Sequence, residues 1–354
     1  MRKPMWILAC LLIVSTSGLA ADAKVTVSNL RDKADDWFTS AEGKQLIANI
    51  IAHQRPEGGW YKTYDVSKPP QPADKPDSGW TMPTIDNNAT YTELRLLAKA
   101  HRLDHNAAAL ESFNRGLDYL FTAQYPNGGW PQRFPLPNNY GKQITLNDHA
   151  MAGVMNLLFD VVNSPEFEFV DADRRAKAKA AFDKGVDCLL KLQVKQDGKL
   201  TAWAQQYDPE TLQPAKARAY ELPGLASDES IGILRMLMRI KDPSPQIREA
   251  IKAGVAWVDR SKITGVKLVR TPNASLPHGV DVTLQPDPSA APLWARYYEL
   301  DTNKPFFCNR DGHKVYKLEE VDPERRAGYA WMRPYGEKLP AEYDKWLQQV
   351  GESK

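Results

Sequence analysis

A chain of 354 residues with 46 basic and 44 acidic side chains carries a formal net charge of only +2. That balance offers no global field to gather a nucleic acid, and three cysteines are too few to staple a small disulfide-built domain. The length suits one large domain, and no Gly/Ser-rich or charge-block linker divides it.

Arg2 and Lys3 precede an apolar run from Met5 to Val14, followed by Gly18-Leu19-Ala20, the small-x-small form of a signal peptidase site. Cleavage after Ala20 is expected, giving a signal peptide over 1–20 and a single domain over 21–354. The mature chain is then exported, to the periplasm or the medium, with no membrane span and no expected oligomer beyond a monomer. Cleavage removes two basic residues and no acid, so 46 become 44 against 44 acidic residues and the formal charge falls to zero. A polyanionic partner must therefore be met by a local basic site. Export permits a bridge between the two remaining cysteines, Cys188 and Cys308, but Cys188 lies in an apolar helical pattern that suits a buried thiol.

Three aromatic-and-glycine segments recur at nearly constant spacing: QRPEGGWYK from Gln54, QYPNGGWPQRF from Gln124, and a degenerate LQVKQDGKLTAWAQQYD from Leu192. Each precedes an acid-or-amide cluster that opens an apolar stretch: DNNATYTELRLL from Asp86, NDHAMAGVMNLL from Asn147 and SDESIGILRML from Ser227. A unit with one apolar face cannot bury it alone, so the copies pack on each other and bring the clusters to one end. The Pro-rich stretch from Lys68 to Pro76 falls inside the first unit and reads as a surface loop.

Helical spacing predicts three hairpins: Tyr91 to Leu103 with Ala109 to Leu120, Met151 to Val162 with Arg174 to Val194, and Ile231 to Ile240 with Gln246 to Val258. The fold class is therefore all-α dominant, an (α/α)3 toroid. After Lys262, VKLV, VDVTL and FFCNRDGHKVY read as short strands or extended loops, with a last helix near Glu342 to Val350. This C-terminal part is expected over one mouth of the toroid. Trp60 and Trp130, each after paired glycines, read as core anchors rather than sugar-stacking platforms, since they occupy the same place in two repeats.

Asp86, Asn87 and Asn88 offer three oxygen donors before one helix, and Asn147 with Asp148 offers the equivalent before the next. Oxygen-only donors suit calcium or magnesium and disfavour zinc. Asp and Asn are also preferred helix N-caps, so each cluster reads equally as a cap. A second, basic set comprises Lys216 and Arg218 in PAKARAYELPG, Arg296 in LWARYYEL and Arg310 in CNRDGH. Guanidinium forks match carboxylates bidentately. Arg296 reads either as a substrate contact or as the partner of Glu299, and Arg325 with Arg326 reads as a solvated surface pair.

The combination GGWPQ, TLNDHAM, PAKARAYELPGLAS, PLWARYYEL, NRDGHKVY and GYAWM closely resembles the family-10 pectate lyases over nearly the whole mature chain. That resemblance implies an exported three-hairpin toroid and calcium-dependent β-elimination of polygalacturonate. It further implies Asp86 and Asp148 at the calcium and substrate carboxylates, Arg218 as catalytic base, and Arg296 and Arg310 as grips on the uronate, with Asn87, Asn147, Lys216 and His149 as neighbours that could share these roles. Two rivals use the same residues. A glycoside hydrolase would take Asp86 and Asp148 as acid and base, with His149 as a further acid-base candidate. A non-catalytic carbohydrate-binding protein would use Trp60 and Trp130 as platforms. A neutral-sugar site has no reason to collect three arginines.

Overall fold

The computed structural model describes residues 24–71 and 81–352; the expected signal peptide and residues 72–76 of the Pro-rich stretch lie outside them. Ten helices run in chain order among the described residues: α1 (Asp35–Thr39), α2 (Ala41–Ala52), α3 (Tyr91–Asp104), α4 (Ala107–Ala123), α5 (Ala150–Asn163), α6 (Ala172–Leu192), α7 (Ser227–Leu237), α8 (Pro245–Arg260), α9 (Pro323–Ala327) and α10 (Leu339–Gln349). The pairs α3/α4, α5/α6 and α7/α8 are the three expected hairpins. Helices α3, α5 and α7 touch in sequence to form one layer, and α2, α4, α6 and α8 touch in sequence to form the other. None of them is long and apolar enough to cross a membrane.

The two layers start their helices differently. Ser40, Asn106, Asp171 and Ser244 cap α2, α4, α6 and α8, each side chain accepting a backbone N–H of the first turn. Helices α3, α5 and α7 have no side-chain cap. The polar groups at the start of this inner layer are therefore free for other work, which removes the capping reading of Asp86 and Asp148.

Packing repeats with the sequence. Trp60, Trp130 and Trp203 are fully buried, and each indole N–H donates to a carbonyl of the preceding outer helix: Ile50 O at 2.7 Å, Leu120 O at 2.8 Å and Leu189 O at 2.8 Å. Gln54, Gln124 and Gln193 follow those helices, and each donates its amide both across its own turn and to the next outer helix, at Ser112 O, Ala181 O and Ala250 O. Against each indole lies a glycine of the following outer helix. A Cβ added at Gly116 would stand 3.0 Å from Trp60 and 2.5 Å from Leu94, and one at Gly185 or Gly254 would stand 3.1 Å from Trp130 or 3.3 Å from Trp203. No side chain fits there, because the layers are already in contact. The tryptophans are anchors.

The C-terminal part contains the expected short strands. Val266–Pro272 pairs with Val280–Pro286 as a ribbon, and Lys314–Val315, Pro305–Cys308, Tyr297–Tyr298 and Leu225–Ala226 form a four-stranded sheet. That sheet ties the tail to the start of α7. Cys188 and Cys308 are both buried free thiols, and burial pushes them up to about 12 and about 11 respectively.

Candidate active site

The tryptophan turns deliver the acid clusters by backbone hydrogen bonds. Thr84 N, Thr145 N and Ala226 N donate to the carbonyls of Trp60, Trp130 and Trp203 at 2.9, 3.0 and 2.8 Å. Two residues after each next tryptophan, the carbonyls of Gln132, Gln205 and Arg296 accept from Ile85, Leu146 and Ser227 at 3.1, 2.9 and 3.1 Å. Trp294 is thus a fourth copy of the turn, with its indole donating to Val258 O at 2.7 Å. Lys62, Gln205 and Arg296 occupy equivalent positions, and all three point at the acid clusters.

The first two clusters meet edge to edge. Asn147 Nδ2 donates to Asp86 Oδ1 at 3.1 Å and to Asp148 Oδ2 at 3.1 Å, and Asn87 Nδ2 reaches Asp148 Oδ2 at 3.1 Å. Lys62 Nζ closes one side on Asp86 and, at 2.8 Å, on Asn87 Oδ1; Gln205 donates to Asn147 Oδ1. Asn87, Asn88, Asp148 and His149 are all left-handed, with φ of 51°, 67°, 49° and 61°. Asn and Asp tolerate that region best among residues with a Cβ. The third cluster differs. Ser227, Asp228 and Glu229 already lie in the regular first turn of α7.

Arg296 joins the second and third clusters: it donates to Glu229 Oε1 at 2.6 Å, to Asp148 Oδ1 at 3.0 Å and to Asn147 Oδ1 at 3.4 Å. Its partner is not Glu299, which is held instead by Thr302, Tyr316 and Lys314. Glu229 is completely buried, and burial lifts its carboxyl above the ordinary range against the pull of Arg296. Removing one partner of such a pair costs about 3–5 kcal/mol, so this arginine also stabilises the fold.

The basic set forms the other half. Arg218 grips Glu221 with both ends of its fork, with Nε to Oε2 at 2.7 Å, and stacks on Tyr220 with Cζ 5.0 Å from the ring centroid. Burial works to lower its guanidinium, but the hydrogen bonds and charge of Glu221 outweigh that and hold it above the usual arginine value. Arg310 pairs with Glu324 at 3.0 Å through Nε and also reaches Tyr220, at 5.8 Å. Arg325 and Arg326 are not a solvated pair. Arg325 is buried and Arg326 binds Asp281 at 2.6 Å, because α9, which carries both, packs against the ribbon and Arg325 meets Tyr220. The halves are linked through Tyr329, whose hydroxyl meets Tyr297 at 2.7 Å and Glu221 at 3.3 Å and whose ring lies 5.2 Å from the Arg296 guanidinium.

A family model described as pectic acid lyase matches residues 54–340. The chain belongs to the pectic acid lyase family. A family 10 polysaccharide lyase from Cellvibrio cellulosa is 31% identical, with 92% of this chain and 95% of that one covered at a TM-score of 0.74. An aspartate-to-alanine mutant of that lyase in complex with trigalacturonic acid is 32% identical over 93% and 99% of the two chains, with a TM-score of 0.73. Comparison with curated proteins returned no match. This pectic acid lyase family member is a polysaccharide lyase, and its α/α toroid is the fold expected from the hairpins.

Of the residues singled out in the sequence of this lyase, Asp86, Asn87, Asn147, Asp148 and Arg296 are in direct contact, and Arg218 and Arg310 share Tyr220. Lys216 is exposed, and its carbonyl accepts from Gln143 at 2.9 Å. His149 faces α7: its Nε2 is 3.3 Å from Asp228, and a Cβ at Gly232 would fall 2.2 Å from its Nδ1. Sequence reasoning missed Lys62, Gln205, Glu221, Glu229 and the fourth tryptophan turn. One signal was present. WAQQY at Trp203 and WARYY at Trp294 share the same form, and in both the second residue's N–H is held by the final tyrosine hydroxyl.

Proposed function

We propose that this lyase cleaves α-1,4-linked polygalacturonate by calcium-dependent β-elimination, releasing 4,5-unsaturated oligogalacturonides outside the cytoplasm. The observation that carries the reading is one connected network with an acid-amide cluster at one end and carboxylate-matched arginines at the other. In the reaction a base removes the C5 proton, the electron pair forms the C4–C5 double bond, and the C4–O bond breaks with the departing sugar oxygen taking a proton from solvent. The C5 proton is weakly acidic because it is α to a carboxylate, so whatever neutralises that carboxylate lowers the barrier.

Asp86, Asn87 and Asp148 fit a hard cation, since two carboxylates and an amide that also carries an oxygen are held together through Asn147 and Asn87. Among the described residues no three His, Cys, Asp or Glu side chains gather into a ready cage. A site of this kind is completed by oxygens of the ligand, and here Lys62 and Arg296 occupy the carboxylates meanwhile. Bound there, calcium would supply charge neutralisation at the uronate carboxylate. Arg296 and Arg310 would hold uronate carboxylates by their forks, and Arg218 would act at the C5 proton. Glu221 keeps Arg218 protonated at rest, so turnover is expected to rise with pH well into the alkaline range.

Incubating the enzyme with polygalacturonate should raise ultraviolet absorbance from the conjugated product, and chelation of calcium should abolish the rise. A saturated reducing end released without calcium would replace this reading by hydrolysis. Arg310→Ala is expected to weaken binding to de-esterified pectate more than to a highly methylated polymer, because only the former offers carboxylates to its fork. Equal loss on both polymers would assign Arg310 to the Glu324 pair alone.

A further inference from the structure

Arg325 is a cation for which the reaction above has no use. It is only 5% exposed, makes no ion pair among the described residues, and its Nε is buried without a hydrogen-bond partner. Its guanidinium instead lies in the corner where two rings meet edge to face, with Cζ 4.4 Å from the Tyr220 centroid and 4.3 Å from the Tyr329 centroid, the centroids being 5.9 Å apart. Desolvating a charge without a counterion is costly, and two aromatic faces offset only part of that cost. A burial of this kind calls for a reason beyond packing.

The contacts close a circuit. Tyr220 also carries Arg218 and Arg310, at 5.0 and 5.8 Å. Arg218 is forked onto Glu221, Glu221 accepts from the Tyr329 hydroxyl at 3.3 Å, and Tyr329 returns to Arg325. Arg325 therefore reaches Arg218 by two routes, through one ring directly and through the other by way of a carboxylate. Around Tyr220 stand the guanidiniums of Arg218, Arg310 and Arg325 against the carboxylates of Glu221 and Glu324, which leaves one positive charge uncompensated.

We propose that Arg325 is a positioning residue for the elimination: it fixes the plane of the Arg218 fork through Tyr220 and Tyr329 and adds a positive charge beside it. The inference rests on the lyase reading and on Arg218 acting at C5. The groups facing Arg218 are Glu221, Tyr220, Tyr329, Arg310 and, from the loop before Asn147, Tyr140. Of these only Glu221 is a carboxylate, and Arg325 shares the Tyr220 ring with Arg218, which places a buried positive charge one ring away from it.

The test compares Arg325→Met and Arg325→Lys with the parent enzyme on trigalacturonate and polygalacturonate in calcium, by steady-state kinetics over an alkaline pH series. Arg325→Met is expected to lose roughly ten- to a hundredfold in kcat, with KM changed less than about threefold, since a misplaced reacting group costs turnover rather than binding. The rising limb of its pH–kcat profile should move to higher pH, because removing a neighbouring positive charge makes Arg218 harder to deprotonate. Arg325→Lys keeps the charge but not the planar fork, so its limb should return toward the parent's position while kcat stays low. An Arg325→Met enzyme with an unmoved limb, whatever its melting temperature, would overturn the proposal by showing that the residue only packs. If that variant does not fold, Arg325→Lys decides: parent-like kcat overturns the positioning role, and low kcat with an unmoved limb supports it. Failure of the parent enzyme itself to release an unsaturated product would sink the lyase reading, a result distinct from failure at Arg325.

Discussion

Arg218→Lys is expected to bind trigalacturonate within a few-fold of the parent and to lose on the order of a hundredfold or more in turnover. Lysine keeps the charge, so the Coulomb attraction for a polyanion survives. What it cannot keep is the two-point grip on Glu221, made here through both Nε and the terminal nitrogen, or the flat face laid on Tyr220. Without those constraints the cation moves on a flexible stem, and even about 1 Å of misplacement at the reacting centre costs roughly a hundredfold. The structure sharpens the question of proton transfer, since Glu221 holds the guanidinium above its usual value and the zwitterionic pair must be disturbed before Arg218 accepts a proton. Calorimetric titration with trigalacturonate in calcium, followed by elimination rates over an alkaline pH series, separates the two effects. Retention of most of the parent's turnover would remove Arg218 from the chemistry and direct attention to Lys216 or His149.

Asp148→Asn should fold normally and be severely impaired in turnover. Asparagine tolerates the left-handed backbone at this position, φ 49°, whereas alanine lacks the short polar side chain that offsets the roughly 1–2 kcal/mol cost of that region. Asparagine is therefore the cleaner removal of charge, and Asp148→Ala the harsher one. The stability lost with the half-exposed ion pair to Arg296 is small, about 0–1 kcal/mol, because Glu229 remains as the buried partner. Function should suffer far more. Asp148 is the carboxylate shared by Asn87, Asn147 and Arg296, and neutralising it leaves Asp86 as the only charged donor of the proposed cation cluster. Thermal unfolding, calcium titration and product absorbance measured on the same preparations give the answer. Near-normal turnover with a lowered melting temperature would show a structural turn residue and nothing more.

Periodic features of this chain were legible from its amino acids because they depend on local order. Apolar spacing marked the three hairpins, the GGW turns marked the buried anchors, and the recurrence of acid clusters required Asp86, Asn147 and the start of α7 to meet. Strand-forming runs after Lys262 were legible for the same reason. Partners of charged groups were not. Arg296 has Glu299 three residues away yet binds Asp148 and Glu229, because the fourth tryptophan turn carries its side chain over the cluster of the preceding units. Arg325 and Arg326 are adjacent in sequence, but one is drawn against Tyr220 and Tyr329 and the other onto Asp281. Glu229 sits in an ordinary amphipathic helix, and only the approach of Arg296 from a distant turn gives it a role; Glu221 has its arginine three residues away, but that pair gains its place only when Tyr329 packs on it. Local pattern determines which elements form, since it sets which faces must be buried. Which polar groups face each other is decided when those elements pack, since an ion pair requires only that two surfaces meet and leaves no period in the chain.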